Sequence, residues 1–270
     1  KMAERALKAL SFIDGHCFVR GTGLFHYFTE GKPHLLGLLG DHAYLGQAML
    51  DAYTATMDER YLGRARELGE ALKKEFWDGG AFLDTARTVQ TIGALRRKLR
   101  PMVENAVAAR FLQTLSQVTG DDRFRQPAGE TLSTFSKIYP RYDIMAAGYA
   151  LAVHQYLHPI QATVAGPWDS PRTQELLEAC RKTYGPTLSL AYRDTPLDAA
   201  VADDTTYAVS QQPAVYLCTE RTCLPPLTEV GDVRDKLKDL VKGDLPRFPQ
   251  GAWPLDQFLD RGETPPPGAY

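Results

Sequence analysis

The sequence lacks the features that mark several specialised classes of protein. Its 31 basic and 33 acidic residues leave a formal net charge of −2, so no excess of positive charge indicates nucleic acid or an anionic membrane as a partner. No stretch approaches the roughly 20 apolar residues that a membrane-spanning helix needs. The N-terminal residues do not form a signal peptide. We therefore expect a cytoplasmic protein that binds neither nucleic acid nor membrane.

Cysteine is also scarce, with four residues in the chain. Cys218 and Cys223 enclose the stretch CTERTC, directly after an apolar run. A tetrahedral zinc site would need a second Cys or His pair nearby, and the sequence has none there. In the absence of a secretory signal we expect reduced thiols at a strand end, although the spacing also permits a disulfide. His154 and His158 have a metal-binding spacing but no third ligand, so we predict no metal and no cofactor.

One segment of the chain occurs twice. Residues 40–67, GDHAYLGQAMLDAYTATMDERYLGRARE, align with residues 103–130, VENAVAARFLQTLSQVTGDDRFRQPAGE, at an offset of 63. Apolar residues recur at i, i+3 and i+4 in two stretches of each copy, which predicts two helical hairpins. The predicted stripes are Leu45, Ala48, Met49, Ala52 and Tyr53, then Tyr61, Ala65, Leu68, Leu72 and Phe76, and in the second copy Val103, Val107, Phe111, Leu115 and Val118, then Phe124, Ala128, Leu132, Phe135 and Ile138.

Local signals predict where these helices begin and end. Asp58 is placed to cap the start of the second helix, and the glycines of DGG at 78–80 end it. Gly120 ends the first helix of the second copy. Pro127 lacks an N–H group, so the helix that contains it must start late or kink.

Hairpins that repeat at a fixed period stack in a row or close into a ring. Residues 2–13 match the second helix of a hairpin, and Ala3 and Leu10 align with Ala65 and Leu72. Residues 142–157 match the first helix of another. The chain is thus expected to enter and leave in mid-hairpin, and its first residue, a Lys before a Met, agrees with a longer parent. We expect upstream hairpins or a partner chain to cover the apolar faces left open.

The pattern changes after residue 158. The stretches PIQATVAG, PTLSLAY and PAVYLC predict strands, and SPRTQELLEACRKTYG predicts a helix that is capped by Ser170 and has Pro171 at its first position. We predict a small β-α-β appendage over 159–240 with a linker at 194–212, followed by a Pro/Gly-rich tail over 241–270.

The order of these segments resembles the C-terminal region of the YyaL-type thioredoxin-domain proteins, relatives of the spermatogenesis-associated thioredoxin-like protein. The resemblance covers about residues 1–240 and rests on DHAYLGQAMLDAYTATMDERYL, FWDGGAFLDTA, RPMVENAVAARFLQTLSQVTGDDRF and PAVYLCTERTCLPPLTEVGDVRDKL. It implies an (α/α) toroid similar to those of six-hairpin glycosidases and N-acylglucosamine 2-epimerases, with a thioredoxin-like domain upstream. The chain departs from the family at His42, where Tyr is commoner. It contains no C-x-x-C pair, so thiol-disulfide chemistry is not predicted for it.

The residues and the resemblance together predict a mainly α protein: an incomplete (α/α) hairpin toroid over 1–158 with the small α/β appendage near the C-terminus. The resemblance implies a function on carbohydrates, namely sugar binding, isomerisation or hydrolysis. If the chain is an enzyme, we expect an activity like that of a sugar epimerase or a glycoside hydrolase. The alternative is a non-catalytic scaffold that supports an upstream redox domain or a protein partner.

The candidate catalytic residues stand where the first helix of each hairpin begins. Asp41 and Glu104 occupy equivalent places, and in a ring of hairpins they would gather at one rim as an acid and a base. His42 would move protons beside them. The alternative role for the carboxylates is to complement the helix dipoles. Candidate residues for binding the sugar are Tyr44, Trp77, Arg100, Asn105 and His34, with core packing and interhelix hydrogen bonds as their structural alternatives.

Overall fold

The computed structural model describes residues 2–90, 93–194, 213–220 and 222–244. These residues are mainly helical, as predicted. In the described part of the chain, none of the helices combines the length and the hydrophobicity needed to cross a membrane. The elements are α1 Met2–His16, β1 Phe18–Val19, β2 Gly23–Thr29, β3 Lys32–Leu36, α2 Leu39–Thr56, α3 Glu59–Ala71, α4 Met102–Thr119, α5 Arg125–Phe135, α6 Ala147–Leu157, β4 Ile160–Ala165, α7 Pro171–Arg181, β5 Leu188–Arg193, β6 Ala214–Thr219 and α8 Val230–Asp244.

The two predicted hairpins are confirmed as α2–α3 and α4–α5. A π-helical turn, Leu72–Phe76, extends α3 to the predicted end of its stripe. In the second copy the buried stripe runs through Phe111, Leu115 and Val118, but Val103 is exposed. The prediction was wrong at that residue because Val103 lies on the side of α4 that faces away from the core.

The residues that recur in the two copies make the same hydrogen bonds in each. A Thr-x-Asp-x-Arg motif spans 56–60 and recurs at 119–123. In each copy the Asp carboxylate accepts from the backbone N–H of the Arg, at 3.0 and 3.1 Å. In each copy the Thr hydroxyl donates to the carbonyl oxygen four residues earlier, at 2.7 and 2.6 Å. The motif ends a helix in both copies, and in the first copy Asp58 also caps the start of α3, as predicted.

Pro127 delays the start of its helix, as predicted. α5 begins at Arg125, whereas the residue equivalent to the start of α3 is Asp122. Pro127 therefore lies in the first turn, where a backbone N–H would have no partner within the helix.

The helices form two layers. α2, α4 and α6 lie side by side, while α3 packs against α2 and α5 against α4. The predicted helix over 142–157 begins only at Ala147, because the positive φ of Asp143 (46°) interrupts it. α1 confirms the helix over 2–13. Leu10 is buried as predicted, whereas Ala3 is exposed.

Residues 18–36 form an antiparallel three-stranded sheet, β1-β2-β3, that we did not predict. Strands β2 and β3 are joined by Glu30 and Gly31, which both have positive φ (50° and 74°). That conformation is typical of a tight two-residue hairpin turn. The sheet connects α1 to the start of α2 and so shapes the surface near Asp41.

The predicted strands and helix after residue 158 are confirmed as β4, α7, β5 and β6. β4 lies between β5, which is parallel to it, and β6, which is antiparallel. Ser170 precedes α7, but its side chain makes no capping hydrogen bond. α8 was not predicted and extends to Asp244, past the expected start of the tail. Residues 195–212 of the expected linker and 245–270 of the expected tail lie outside the described residues.

The β5-β4-β6 sheet packs against the helical layers in one hydrophobic core. Arg193 on β5 donates to the carbonyl oxygen of Val118 at the end of α4, at 3.1 Å. Arg181 on α7 donates to the carbonyl oxygen of Thr54 near the end of α2, at 3.0 Å. The α/β appendage therefore covers the C-terminal ends of α2 and α4, while their N-terminal ends lie at the other end of the layer.

Candidate functional site

Asp41 lies in the first turn of α2, where exposed backbone N–H groups favour a negative charge. Its carboxylate contacts a side chain from another element, the imidazole of His26 on β2. His26 Nδ1 donates to the two carboxylate oxygens at 2.9 and 3.1 Å. The side chain of Asp41 is 22% exposed and that of His26 50%. This pair is accessible from solvent and has its imidazole Nε2 on the side away from the carboxylate.

A cavity of about 330 Å³ adjoins the Asp41–His26 pair, between α1, β2 and α2. Buried Leu24 and Leu45 give it apolar walls, and Tyr44, 56% exposed, stands at its edge. We call it the rim cavity. Burial, with a smaller effect of Asp41, raises the pKa of the Cys17 thiol, so Cys17 contributes a neutral wall. The lining residues are Leu10, Ile13, Cys17, Leu24, Phe25, His26, Asp41, Tyr44, Leu45 and Ala48.

Glu104 occupies the equivalent place in the first turn of α4. A Cβ atom built on Gly40 would lie 3.6 Å from Glu104 Cγ, so Glu104 lies against the first turn of α2. Its carboxylate is half-buried and has no hydrogen-bond or ion-pair partner among the described residues. The structure thus brings the starts of the two helices together, and neither carboxylate caps its own helix.

His42 faces the opposite way from its neighbour Asp41. Its ring is buried and lies 4.8 Å from the ring of Phe76. Nδ1 donates to the carbonyl oxygen of Leu38 at 2.8 Å. Burial lowers the pKa of His42, so the imidazole is neutral near pH 7. His42 does not line the rim cavity, and its surroundings are those of a core residue.

Three of the predicted sugar-binding residues, Asn105, Trp77 and Arg100, make contacts that fix the segment between α3 and α4. Asn105 is fully buried: its Oδ1 accepts from the Phe82 N–H at 2.7 Å, and its Nδ2 donates to the carbonyl oxygens of Phe82 and Pro101. The Trp77 ring packs edge-on against Phe82 at 5.0 Å. Arg100 donates to the Asp78 carbonyl oxygen at 2.6 Å and forms an ion pair with its carboxylate. These contacts correspond to the structural alternatives for all three residues.

His34 lies on β3 directly opposite Tyr27 of β2, and the two rings stack at 5.1 Å. Successive residues of a strand point to opposite faces, so His34 shares the face of Tyr27 and not that of His26. Of the predicted residues, Asp41 and Tyr44 line the rim cavity. His26 was missed because its strand was not predicted. The alternating stretch GLFHYFT before TEGK was the available signal.

Cys218 and Cys223 form a disulfide, so the expectation of reduced thiols was wrong for this pair. The chain turns back after β6, and the two residues face each other in an antiparallel bridge with Cα atoms 4.0 Å apart. Cys17 and Cys180 are free and buried. His154 and His158 lie with their rings 5.2 Å apart.

No family model matches this chain. An uncharacterized protein of Caenorhabditis elegans is 21% identical over 212 residues, which cover 76% of this chain and 29% of that protein. Spermatogenesis-associated protein 20 of Rattus norvegicus is 22% identical over 259 residues, or 88% of this chain and 33% of that protein. The human protein of the same name is 23% identical over 220 residues, or 77% and 28%. The chain therefore spans about a third of the length of these curated relatives, and it is related in sequence to spermatogenesis-associated protein 20.

Proposed function

We propose that this chain is part of an (α/α) toroid that binds a carbohydrate in the rim cavity and acts on it by acid–base chemistry. The observation that supports this best is the Asp41–His26 pair beside an apolar-walled cavity. Sugar sites combine hydrogen-bonding groups for hydroxyls with aromatic faces for the C–H surface of the ring, and ligand pockets in general are apolar with few polar groups. Tyr44 offers such a face at the edge of the cavity.

The layered arrangement of the helices supports the toroid. In a ring of hairpins the first helix of each hairpin forms the inner layer, and α2, α4 and α6 lie side by side with α3 and α5 behind them. Stacked hairpins bury their apolar faces only against neighbours. We therefore infer that further hairpins, in the same polypeptide or in a partner chain, extend this layer and close the ring.

The chemistry assigned to the site is proton transfer. The bond to Asp41 places the His26 proton on Nδ1 and leaves Nε2 as an acceptor. Nε2 takes a proton from the carbon next to a sugar carbonyl in isomerisation, or from an attacking water in hydrolysis. Glu104, on the neighbouring helix, lies against Gly40 outside the lining of the rim cavity, and it is the second acid–base group for a sugar that extends past Gly40. His42 and Asn105 stabilise the core around this site and do not touch the sugar.

Titration of the purified chain with a panel of neutral sugars, followed by protein NMR, tests this proposal. We expect one class of sugar to shift the signals of residues around the rim cavity. Asp41→Asn should weaken that binding about ten-fold, the loss of one charged hydrogen bond. Asp232→Asn is the matched control, because Asp232 is an exposed acidic residue in the first turn of α8. Absence of saturable binding, or equal binding by both variants, would contradict the proposal.

The reaction class can be separated from binding. If the site isomerises the sugar, the bound sugar should take up deuterium from D₂O at the carbon next to its carbonyl, and His26→Gln should abolish this exchange. If it hydrolyses glycosides, reducing ends should accumulate without that exchange. Binding without either product would favour a site that has lost turnover.

A scaffold role is the second candidate, and exposed apolar residues favour it. Ile144 and Met145 are 80% and 61% exposed, beside the start of α6. Phe12 on α1 is also exposed. If these residues dock another protein segment, the double substitution Ile144→Ser/Met145→Ser should reduce self-association or partner binding in sedimentation velocity. Sugar binding at the rim cavity should not change in this variant.

A further inference from the structure

A second cavity, of about 260 Å³, lies between α2, α4, α6 and the connection from α7 to β5. It is separate from the rim cavity, because the two share no lining residue. Polar and charged side chains from four helices reach it, which is unusual for a space between packed helices. We call it the Arg181 cavity, and the residues that matter are Asp51, Arg110, Thr114, Gln155 and Arg181.

The guanidinium group of Arg181 makes one hydrogen bond to the backbone and has one buried nitrogen without a hydrogen-bond acceptor. Its Nε donates to the carbonyl oxygen of Thr54, at 3.0 Å, which belongs to the last turn of α2. Nη2 is shielded from solvent and has no acceptor among the described residues. Burial lowers the pKa of Arg181, but an arginine keeps its charge in proteins. A buried, charged donor without an acceptor is costly, which a ligand oxygen would relieve.

Arg110 is held in place on the opposite wall. Its Nε donates to Gln155 Oε1 at 3.1 Å, and Gln155 Nε2 donates to the hydroxyl of Thr114 at 2.7 Å. This chain of hydrogen bonds orients the guanidinium group. No carboxylate of a described residue lies within 4 Å of the guanidinium groups of Arg110 or Arg181. A preoriented arginine that forms no close ion pair is suited to bind a carboxylate or a phosphate.

Asp51 is the one carboxyl group that lines this cavity among the described residues. Its Oδ1 accepts from Gln47 Nε2 at 3.0 Å. Burial raises the pKa of Asp51, while the hydrogen bond from Gln47 and the charge of Arg110 act in the opposite direction. With two guanidinium groups and one carboxyl group, the cavity carries net positive charge and also has an acceptor for hydroxyl groups.

We propose that the Arg181 cavity binds a small hydroxylated molecule through a single oxyanion group, a carboxylate or a phosphate. The oxyanion accepts from the guanidinium groups of Arg110 and Arg181, and Asp51 accepts from a hydroxyl of the same molecule. This site goes beyond the proposed carbohydrate function, because it lies in another cavity and does not use Asp41 or His26.

The arginine Nε–Hε signals in ¹⁵N-correlated NMR spectra test this directly. The purified chain is titrated with inorganic phosphate and, separately, with acetate, at constant ionic strength. We expect saturable shifts of the Arg110 and Arg181 signals with at least one of these anions, and the tighter anion identifies the group that is preferred. Arg110→Gln should weaken the binding about ten-fold or more, since it removes a charged hydrogen-bond donor.

Arg172→Gln is the matched control, because Arg172 is on the surface of α7 and is already paired with Glu175 and Glu229. It should bind the anions as the wild type does. Arg181→Gln should also lose binding; if circular dichroism shows that this variant is unfolded, Arg110→Gln decides the outcome. Linear, non-saturating shifts shared by many arginines, or unchanged binding in Arg110→Gln, would overturn the proposal.

Discussion

The contact between α2 and α4 depends on the absence of a side chain at Gly46. A Cβ atom built there would lie 2.4 Å from Cζ of Phe111 and 2.5 and 2.7 Å from its two Cε atoms. Phe111 is fully buried, so its ring has no free space on the far side. Gly63, inside α3, is the matched control, since a Cβ atom there would meet nothing within 4 Å.

The two substitutions to alanine share the gain in helix propensity, which is about 1 kcal/mol per residue. Gly63→Ala should therefore raise the free energy of unfolding by up to about 1 kcal/mol. In Gly46→Ala the Phe111 ring must move by about 1 Å to restore a contact of ordinary length. Overpacking of this kind costs about 1–3 kcal/mol. Because the propensity term cancels between the variants, Gly46→Ala should be less stable than Gly63→Ala by about 1–3 kcal/mol.

Urea unfolding of both variants, monitored by circular dichroism at about 222 nm, measures this difference. Adding Phe111→Leu to Gly46→Ala should recover part of the loss, because the smaller side chain removes the ring from the contact. If Gly46→Ala is as stable as Gly63→Ala, the close approach of α2 and α4 is refuted, and with it the layer on which the toroid proposal depends.

Three further predictions concern stability. Asp58→Ala and Asp121→Ala should each lower the free energy of unfolding by about 1 kcal/mol in urea titrations, because Asp58 caps α3 and Asp121 accepts the equivalent backbone hydrogen bond in the turn before α5; a loss in one copy alone would contradict their equivalence. His42 has a lowered pKa in the folded state, so the unfolded chain binds more protons, and stability should fall as the pH drops below about 6.5. His42→Gln should make the free energy of unfolding depend less on pH between about pH 5 and about pH 7. Reduction of the Cys218–Cys223 disulfide should cost about 2 kcal/mol, measured with and without reductant, since the closed loop is short.

Much of the helical architecture could be predicted because its signals are local. Helix α5 starts late because Pro127 has no N–H group, a property of one residue. Asp58 caps α3 through the backbone N–H two residues later, and Asp121 makes the same bond in the turn that precedes α5. The strands β4, β5 and β6 are short apolar runs between turn residues. In each case the interaction that decides the structure spans a few positions of the chain.

The candidate site was only partly predictable, because its main contact joins distant residues. His26 and Asp41 are 15 positions apart and lie on a strand and a helix. Because this strand was not predicted, the partner expected for Asp41 was Glu104, which lies at the start of another helix. The disulfide was missed for a related reason: its formation depends on a turn that brings two β positions opposite each other.

By itself, the sequence determined the repeat of 63 residues, the two hairpins and the helix boundaries at Asp58 and Gly120, since periodicity and capping act within one or two helical turns. Only the tertiary structure decided which side each helix presents. Adjacent helical residues point about 100° apart. That angle sends Asp41 to the rim cavity and His42 into the core, and it depends on what packs around α2.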